Sequence, residues 1–138
     1  TRRGVCQAYS ELFCYMAEAV GLTADVITGK TKNSKGEVSE DKHAWVFVYT
    51  HAYDGILVDP TWGAGSVDGS RFVKSNDNSR WFNISPYWMI FSHFPDKEHW
   101  AKLDIKITED QFKNLPYLLP EKGINGKDAL FEGISKIQ

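Results

Sequence analysis

The chain has little of what defines several common protein classes. Its two cysteines, Cys6 and Cys14, are too few for the disulfide framework of a small secreted scaffold. Its apolar runs, such as residues 44–49, fall far short of the roughly 20 residues that a membrane helix needs. No block of like charge occurs, and a formal net charge of −2 removes the electrostatic case for nucleic-acid binding. We therefore expect no membrane span and no nucleic-acid partner.

What is present is typical of a globular domain. A length of 138 residues suits one domain, and 42% hydrophobic with 14% aromatic residues can supply its core. We interpret residues 1–138 as a single domain, and as a fragment of a longer protein because the sequence opens without an initiator Met. Reduced thiols occur in reducing compartments and in secreted thiol enzymes alike, so the two cysteines do not predict the cellular compartment of the protein.

Residues 7–20 form the clearest predicted helix. Apolar side chains recur there at the spacing of one helix face: Tyr9, Leu12, Phe13, Met16 and Val20. The helix is expected to start near Cys6 and to stop at Gly21. If both cysteines lie on it, their Cα atoms are about 12 Å apart, and a disulfide needs them within about 7 Å.

A β-hairpin is the strongest strand signal. Residues 44–49 and 55–59 are rich in β-branched and aromatic side chains, and Asp54-Gly55 favours a turn between them. Both strands are almost wholly apolar, which indicates that both faces are covered. Pro60 cannot donate a ladder hydrogen bond, so the second strand should end there. A short strand is also expected over residues 24–28.

The other segments carry weaker signals. Residues 30–42 are polar and predict an exposed loop with a turn, and the glycines of residues 62–70 also predict a loop. Residues 80–94 are dense in aromatics and predict strand pieces. Thr108, with Gln111 three residues later, resembles a capping box that starts a helix.

Three residues point to nucleophilic catalysis. Cys6 is expected in the first turn of the helix, where unpaired N–H groups and the helix dipole favour a thiolate. His43 opens the first hairpin strand and Asp59 closes the second, and these ends are neighbours in an antiparallel pair. An imidazole and a carboxylate so placed can act as a base and its orienting partner.

The motifs around these residues resemble a known family, the transglutaminase-like superfamily. They are Gly4-Val5-Cys6, His43-Ala44-Trp45 and Asp59-Pro60-Thr61-Trp62. The resemblance implies an α+β, papain-like fold in which an N-terminal helix carrying the cysteine packs on an antiparallel sheet carrying the other two residues. It also implies a catalytic triad, with Cys6 as nucleophile, His43 as base and Asp59 as third member.

A later motif narrows the resemblance. Phe91-Ser92-His93-Phe94-Pro95, followed by Trp100, resembles the subset related to the kyphoscoliosis peptidase. The side chain that helps to bind the oxyanion in many papain-like enzymes has no counterpart that can be assigned here. The backbone N–H of Cys6 is the one oxyanion donor that we expect.

These observations predict a thiol-dependent enzyme acting on amide bonds of proteins or peptides through a thioester. By resemblance, hydrolysis as a peptidase or amidase is favoured over cross-linking. Trp62, just beyond Asp59, is expected to line the substrate cleft. The alternative is a catalytically silent binding or scaffold domain of a larger protein. The expected partners are a protein or peptide substrate for the enzyme and, in either case, the other domains of a longer chain.

No cofactor is expected, and no metal site. The sequence has no Cys-x-x-Cys or His-Glu-x-x-His pattern, so no residue is assigned as a metal ligand. His51, His93 and His99 fall in a turn and in the aromatic segment, where ordinary polar contacts are the expected role.

Overall fold

The structure is a computed structural model that describes residues 2–51, 54–68, 71–74 and 78–137. Within these residues the helices are α1 (Arg2–Ala19), α2 (Pro60–Ala64), α3 (Pro86–Met89), α4 (Glu109–Asn114) and α5 (Lys127–Lys136). The strands are β1 (Thr23–Thr31), β2 (His43–Tyr49), β3 (Ile56–Val58), β4 (Gly65–Asp68), β5 (Arg71–Lys74), β6 (Phe82–Ile84) and β7 (His93–Pro95). The predicted α+β class is confirmed. Every described helix is too short or too polar to cross a membrane.

The chain divides into two compact units. The first contains Thr1–Ile27 and Ala44–Ile84, and the second contains Thr28–His43 and Ser85–Gln138. The chain passes from one unit to the other within β1, after Ile27, then within β2, directly after His43, and a third time after Ile84.

The predicted hairpin forms the centre of the first unit. Strands β2 and β3 pair antiparallel, with Val46 opposite Val58, and β3 pairs in turn with β6. The sheet order in this unit is β6-β3-β2-β1. Every residue of β2 from Ala44 to Val48 is buried, so both faces of the strand are covered as its composition predicted.

Helix α1 packs on β2 through a face of small residues. Cys14 and Ala17 contact Val46 and Val48 in one buried cluster. The predicted apolar stripe was wrong as a core face, because four of its members are exposed: Tyr9, Leu12, Met16 and Val20. The buried side chains recur at the same helical spacing: Cys6, Ser10, Cys14 and Ala17. Small side chains let the helix backbone approach the sheet closely, and they therefore occupy the contact.

The loop predicted over residues 62–70 was wrong in its described part. Trp62 is part of helix α2, and β4 begins at Gly65 and pairs antiparallel with β5. The helix forms because Asp59 caps it and Pro60 occupies its first turn, where a missing N–H costs nothing. Residues 69–70 of that prediction lie outside the described residues.

The second unit contains the end of β1. Gly29–Thr31 pair antiparallel with β7, and the chain then makes the predicted turn, in which the Gly36 N–H donates to the Asn33 carbonyl at 2.9 Å. The expectation that residues 30–42 are wholly exposed was wrong at Lys32, which is only 2% exposed. Its Nζ donates to the Leu115 carbonyl at 2.6 Å and lies 4.4 Å from the centre of the Phe112 ring.

The aromatic segment over residues 80–94 gives two strand pieces, as predicted, but a helix separates them. Strand β6 ends at Ile84 and β7 begins at His93, and α3 lies between them. Ser85 caps α3 by accepting the Tyr87 N–H, and Pro86 fits its first turn.

The predicted capping box at α4 is confirmed and gives a stability test. Thr108 Oγ1 accepts the Gln111 N–H at 3.1 Å, and Gln111 Oε1 accepts the Thr108 N–H at 2.9 Å. We expect Thr108→Ala to lower the free energy of unfolding by about 1 kcal/mol, measured by urea denaturation, because the first turn loses its side-chain acceptor. Thr108→Ser, which keeps that oxygen, serves as the control. Equal losses in both variants would contradict the capping role.

Candidate active site

Asp59 is fixed where β3 ends and α2 begins. Its side chain is fully buried, and Oδ1 accepts the Trp62 N–H at 3.0 Å as the cap of α2. Its backbone N–H donates to the Trp81 carbonyl at 2.8 Å, and its carbonyl accepts the Gly63 N–H at 2.9 Å. Hydrogen bonds on three sides therefore hold this carboxylate in place.

Trp62 follows directly on α2 and is partly exposed. Its ring meets that of Trp81 edge to face, with the ring centres 4.8 Å apart and the planes at 84°. This is a favourable geometry for an aromatic pair, and it orients the Trp62 ring. A partly exposed indole held within three residues of Asp59 is suited to line a substrate cleft, which remains a prediction.

Cys6 lies in the second turn of α1, which corrects the expectation that it starts the helix. Because α1 begins at Arg2, the Cys6 N–H falls among the groups that have a partner inside the helix. The backbone N–H of Cys6 is therefore not available as the expected oxyanion donor. Cys6 as a whole residue is 3% exposed.

A buried hydrogen bond places the Cys6 end of α1 beside the start of β2. Ser10 Oγ donates to the Ala44 carbonyl at 3.1 Å, and Ser10 is fully buried. Further along, Cys14 and Ala17 meet later residues of β2, so the helix and the strand run in the same direction. Cys6 lies four residues before Ser10 on the same buried face of α1.

The strand register fixes the position of Asp59 in the first unit. Val46 faces Val58, so Trp45 falls opposite Asp59 when the register is extended by one position. His43 opens β2 and belongs to the second unit, so its pairing with Asp59 stays a prediction from the sequence.

Sequence reasoning missed a second histidine beside His43. His93 is 1% exposed, and the centres of the two imidazole rings are 5.6 Å apart. A ring nitrogen of each histidine lies within 4.8 Å of one on the other. Both rings could therefore contribute to one metal site. Neighbouring imidazoles can also transfer protons.

The comparison with protein families decides the assignment. The family model described as the transglutaminase-like superfamily matches residues 1–104. The chain belongs to the transglutaminase-like superfamily. The resemblance inferred from the three motifs is confirmed, and so is the fold that it implied.

Two curated proteins are similar to this transglutaminase-like chain. Kyphoscoliosis peptidase of Mus musculus is 32% identical over 124 residues, which is 85% of this chain and 18% of the relative. Cytokinesis protein 3 of Saccharomyces cerevisiae is 26% identical over 121 residues, which is 79% of this chain and 13% of the relative. The chain thus spans less than a fifth of the length of either protein.

The second thiol of the transglutaminase-like chain has a different environment. Burial raises the pKa of Cys14, and the negative charges of Glu18, Asp25 and Glu11 raise it further. A thiol with a raised pKa has little thiolate at neutral pH and reacts slowly. Cys14 is therefore an internal reference against which the reactivity of Cys6 can be measured.

Proposed function

We propose that the chain is a thiol-dependent acyl-transfer enzyme acting on amide bonds of proteins or peptides. The observation that carries the proposal is the membership of the transglutaminase-like superfamily, whose family model matches residues 1–104 and so includes all three motif residues. Cys6 lies on α1, His43 opens β2, and Asp59 lies between β3 and α2. Nucleophile, base and orienting carboxylate are the groups that this chemistry requires.

The reaction has two steps. The Cys6 thiolate attacks the amide carbonyl carbon, the carbon–nitrogen bond breaks, and imidazolium His43 gives its proton to the leaving amine. A thioester remains on Cys6. Water then attacks this thioester, His43 accepts the proton of the water, and the carboxylic acid product leaves. Asp59 orients the imidazole throughout, and no cofactor is needed.

Hydrolysis is favoured over cross-linking. The relative with the higher identity is named a peptidase, and its aligned part covers most of this chain. We propose accordingly that the acyl acceptor is water and that Trp62 lines the cleft for the substrate. We also propose that residues 1–138 act as one domain of a longer protein, because both curated relatives extend far beyond the aligned region.

The second candidate function is a catalytically silent binding or scaffold domain. Two observations favour it: Cys6 is almost fully buried, and its N–H lies inside α1 rather than at the helix start. Loss of one oxyanion donor costs roughly 10²–10³ in rate. This candidate predicts an intact fold in which the reactivity of Cys6 does not depend on His43.

The test is competitive alkylation of the two cysteines in one chain. We expect iodoacetamide at pH 7 to label Cys6 at least roughly tenfold faster than Cys14, because a thiolate–imidazolium pair keeps the reactive form populated. Labelling is quantified by mass spectrometry of the two peptides. His43→Ala should remove the advantage.

His51→Ala is the matched control, since His51 is an exposed histidine outside the proposed site. Its labelling ratio should equal that of the unchanged protein. Equal labelling of the two cysteines in the unchanged protein, or an undiminished ratio in His43→Ala, would reject the enzyme and favour the silent domain.

A further inference from the structure

His93 occupies a built polar site that the proposed triad does not use. It is the first residue of β7 and pairs with Thr31 of β1. The Oγ of Ser92 lies 2.7 Å from His93 Nδ1, and both side chains are at most 1% exposed. A buried imidazole with a fixed hydrogen-bond partner has a defined ring orientation.

Ser92 is itself held on both sides. Its N–H and its Oγ both donate to the Met89 carbonyl, at 3.0 and 3.3 Å. Its carbonyl accepts the Lys32 N–H at 3.0 Å. Because the Ser92 hydroxyl proton has an acceptor in Met89, Oγ can accept from His93 Nδ1–H. The partner that orients His93 is therefore anchored by backbone from two different segments.

The oriented ring is the neighbour of the proposed base. The ring centres of His43 and His93 are 5.6 Å apart and the planes meet at 60°. His93 is buried and His43 is only partly buried, so a fixed ring lies beside an imidazole that solvent can reach.

We infer that His93 is a positioning residue for His43: held by Ser92, it packs beside the imidazole that serves Cys6 and fixes the plane of that ring, so that the proposed partner Asp59 can keep it in one tautomer. The inference rests on the proposed function, since it concerns the base of that reaction. It also gives a role to the Ser92-His93 part of the motif over residues 91–95, which the triad leaves unexplained.

The experiment compares three variants of the full chain. His93→Phe keeps a planar ring but removes both nitrogens, His93→Gln keeps a polar group able to bond Ser92, and Ser92→Ala removes the anchor. We expect His93→Phe to slow Cys6 alkylation roughly tenfold, a typical effect for an outer partner that orients an imidazole. His93→Gln should restore most of the rate, and Ser92→Ala should fall between them.

A second readout is independent of Cys6. The ¹⁵N chemical shifts of the His43 ring report its tautomer, and we expect one tautomer in the unchanged protein and a mixture in His93→Phe. His99→Phe is the matched control, because His99 is exposed and stacks on Trp100. Urea denaturation shows whether each variant is folded. If His93→Phe does not fold, the comparison of Ser92→Ala with His93→Gln still tests the proposal.

The two possible failures differ. If Cys6 of the unchanged protein reacts no faster than Cys14, the proposed function fails, whatever His93 does. If Cys6 is fast, and neither its rate nor the His43 nitrogen shifts change in His93→Phe or Ser92→Ala, the positioning role of His93 is overturned.

Discussion

Replacing Asp59 by asparagine is expected to lower acyl transfer by about 10⁴-fold while the fold is kept. Asparagine is as good a helix cap as aspartate, so its side-chain oxygen can still accept the Trp62 N–H that starts α2. It carries no negative charge, however, and it can hold the His43 ring in the wrong tautomer. The measurement is single-turnover release of p-nitrophenol from p-nitrophenyl acetate, with acetylation of Cys6 followed by mass spectrometry.

Two further variants separate the roles of this carboxylate. Asp59→Ala should lose the activity and also about 1 kcal/mol of unfolding free energy, because the cap is lost. Asp54→Asn is the matched control: Asp54 is exposed on the same hairpin, and its φ of 61° suits asparagine. If Asp59→Asn retained activity within a few-fold, Asp59 would be a cap alone.

The second large effect concerns Lys32 and pH. Burial lowers the pKa of Lys32 from 10.5 to about 8. Between these values the unfolded chain keeps the proton and the folded chain has lost it, so the free energy of unfolding rises with pH. A shift of this size corresponds to as much as about 3 kcal/mol, fully gained only near pH 10.5. Below about pH 8 the ammonium stays protonated in both states, and the penalty of burying it is present in full.

Urea denaturation between pH 7 and 10.5, followed by tryptophan fluorescence, measures this contribution. Lys32→Met should abolish the increase in unfolding free energy that comes from Lys32 between pH 8 and 10.5. The variant also removes the donor to the Leu115 carbonyl, so its stability at pH 7 can differ from that of the unchanged protein without affecting the test. Lys30→Met is the control two residues earlier in the chain, since Lys30 is partly exposed and bonds Glu109 at 2.9 Å. Parallel curves for the unchanged protein and Lys32→Met would show that the buried amine does not titrate in this range.

The hairpin and the capping box of α4 were predictable because their signals are local. The composition of residues 44–49 alone predicts a buried strand. The capping box is formed by Thr108 and Gln111, which are three residues apart and bond each other within one helical turn. The three motif residues were equally accessible, because short segments around Cys6, His43 and Asp59 carry the resemblance. The same local signals placed Cys6 on a helix, His43 at the start of a strand and Asp59 at the end of the next strand; in the structure Asp59 follows β3 directly.

The features that the sequence did not predict depend on side-chain size or on contacts between residues far apart in the sequence. The inward face of α1 was predicted wrongly because the prediction used only the spacing of the most hydrophobic residues. Close packing on β2 requires small side chains, so Cys14 and Ala17 face the sheet and Leu12 is exposed. Lys32 was assigned to an exposed loop because its acceptor, Leu115, lies 83 residues further along the chain. His93 was missed for the same reason, since only the folded chain brings it beside His43.

The placement of the two thiols on α1 has a consequence for oxidation. Cys6 and Cys14 are the only cysteines of this sequence, and two helical turns separate them, so they cannot bridge to each other. Peroxide acting on Cys6 would therefore give a sulfenic acid that Cys14 cannot convert into a disulfide. Another thiol would have to reach Cys6 before further oxidant carried the sulfur to the irreversible sulfinic state.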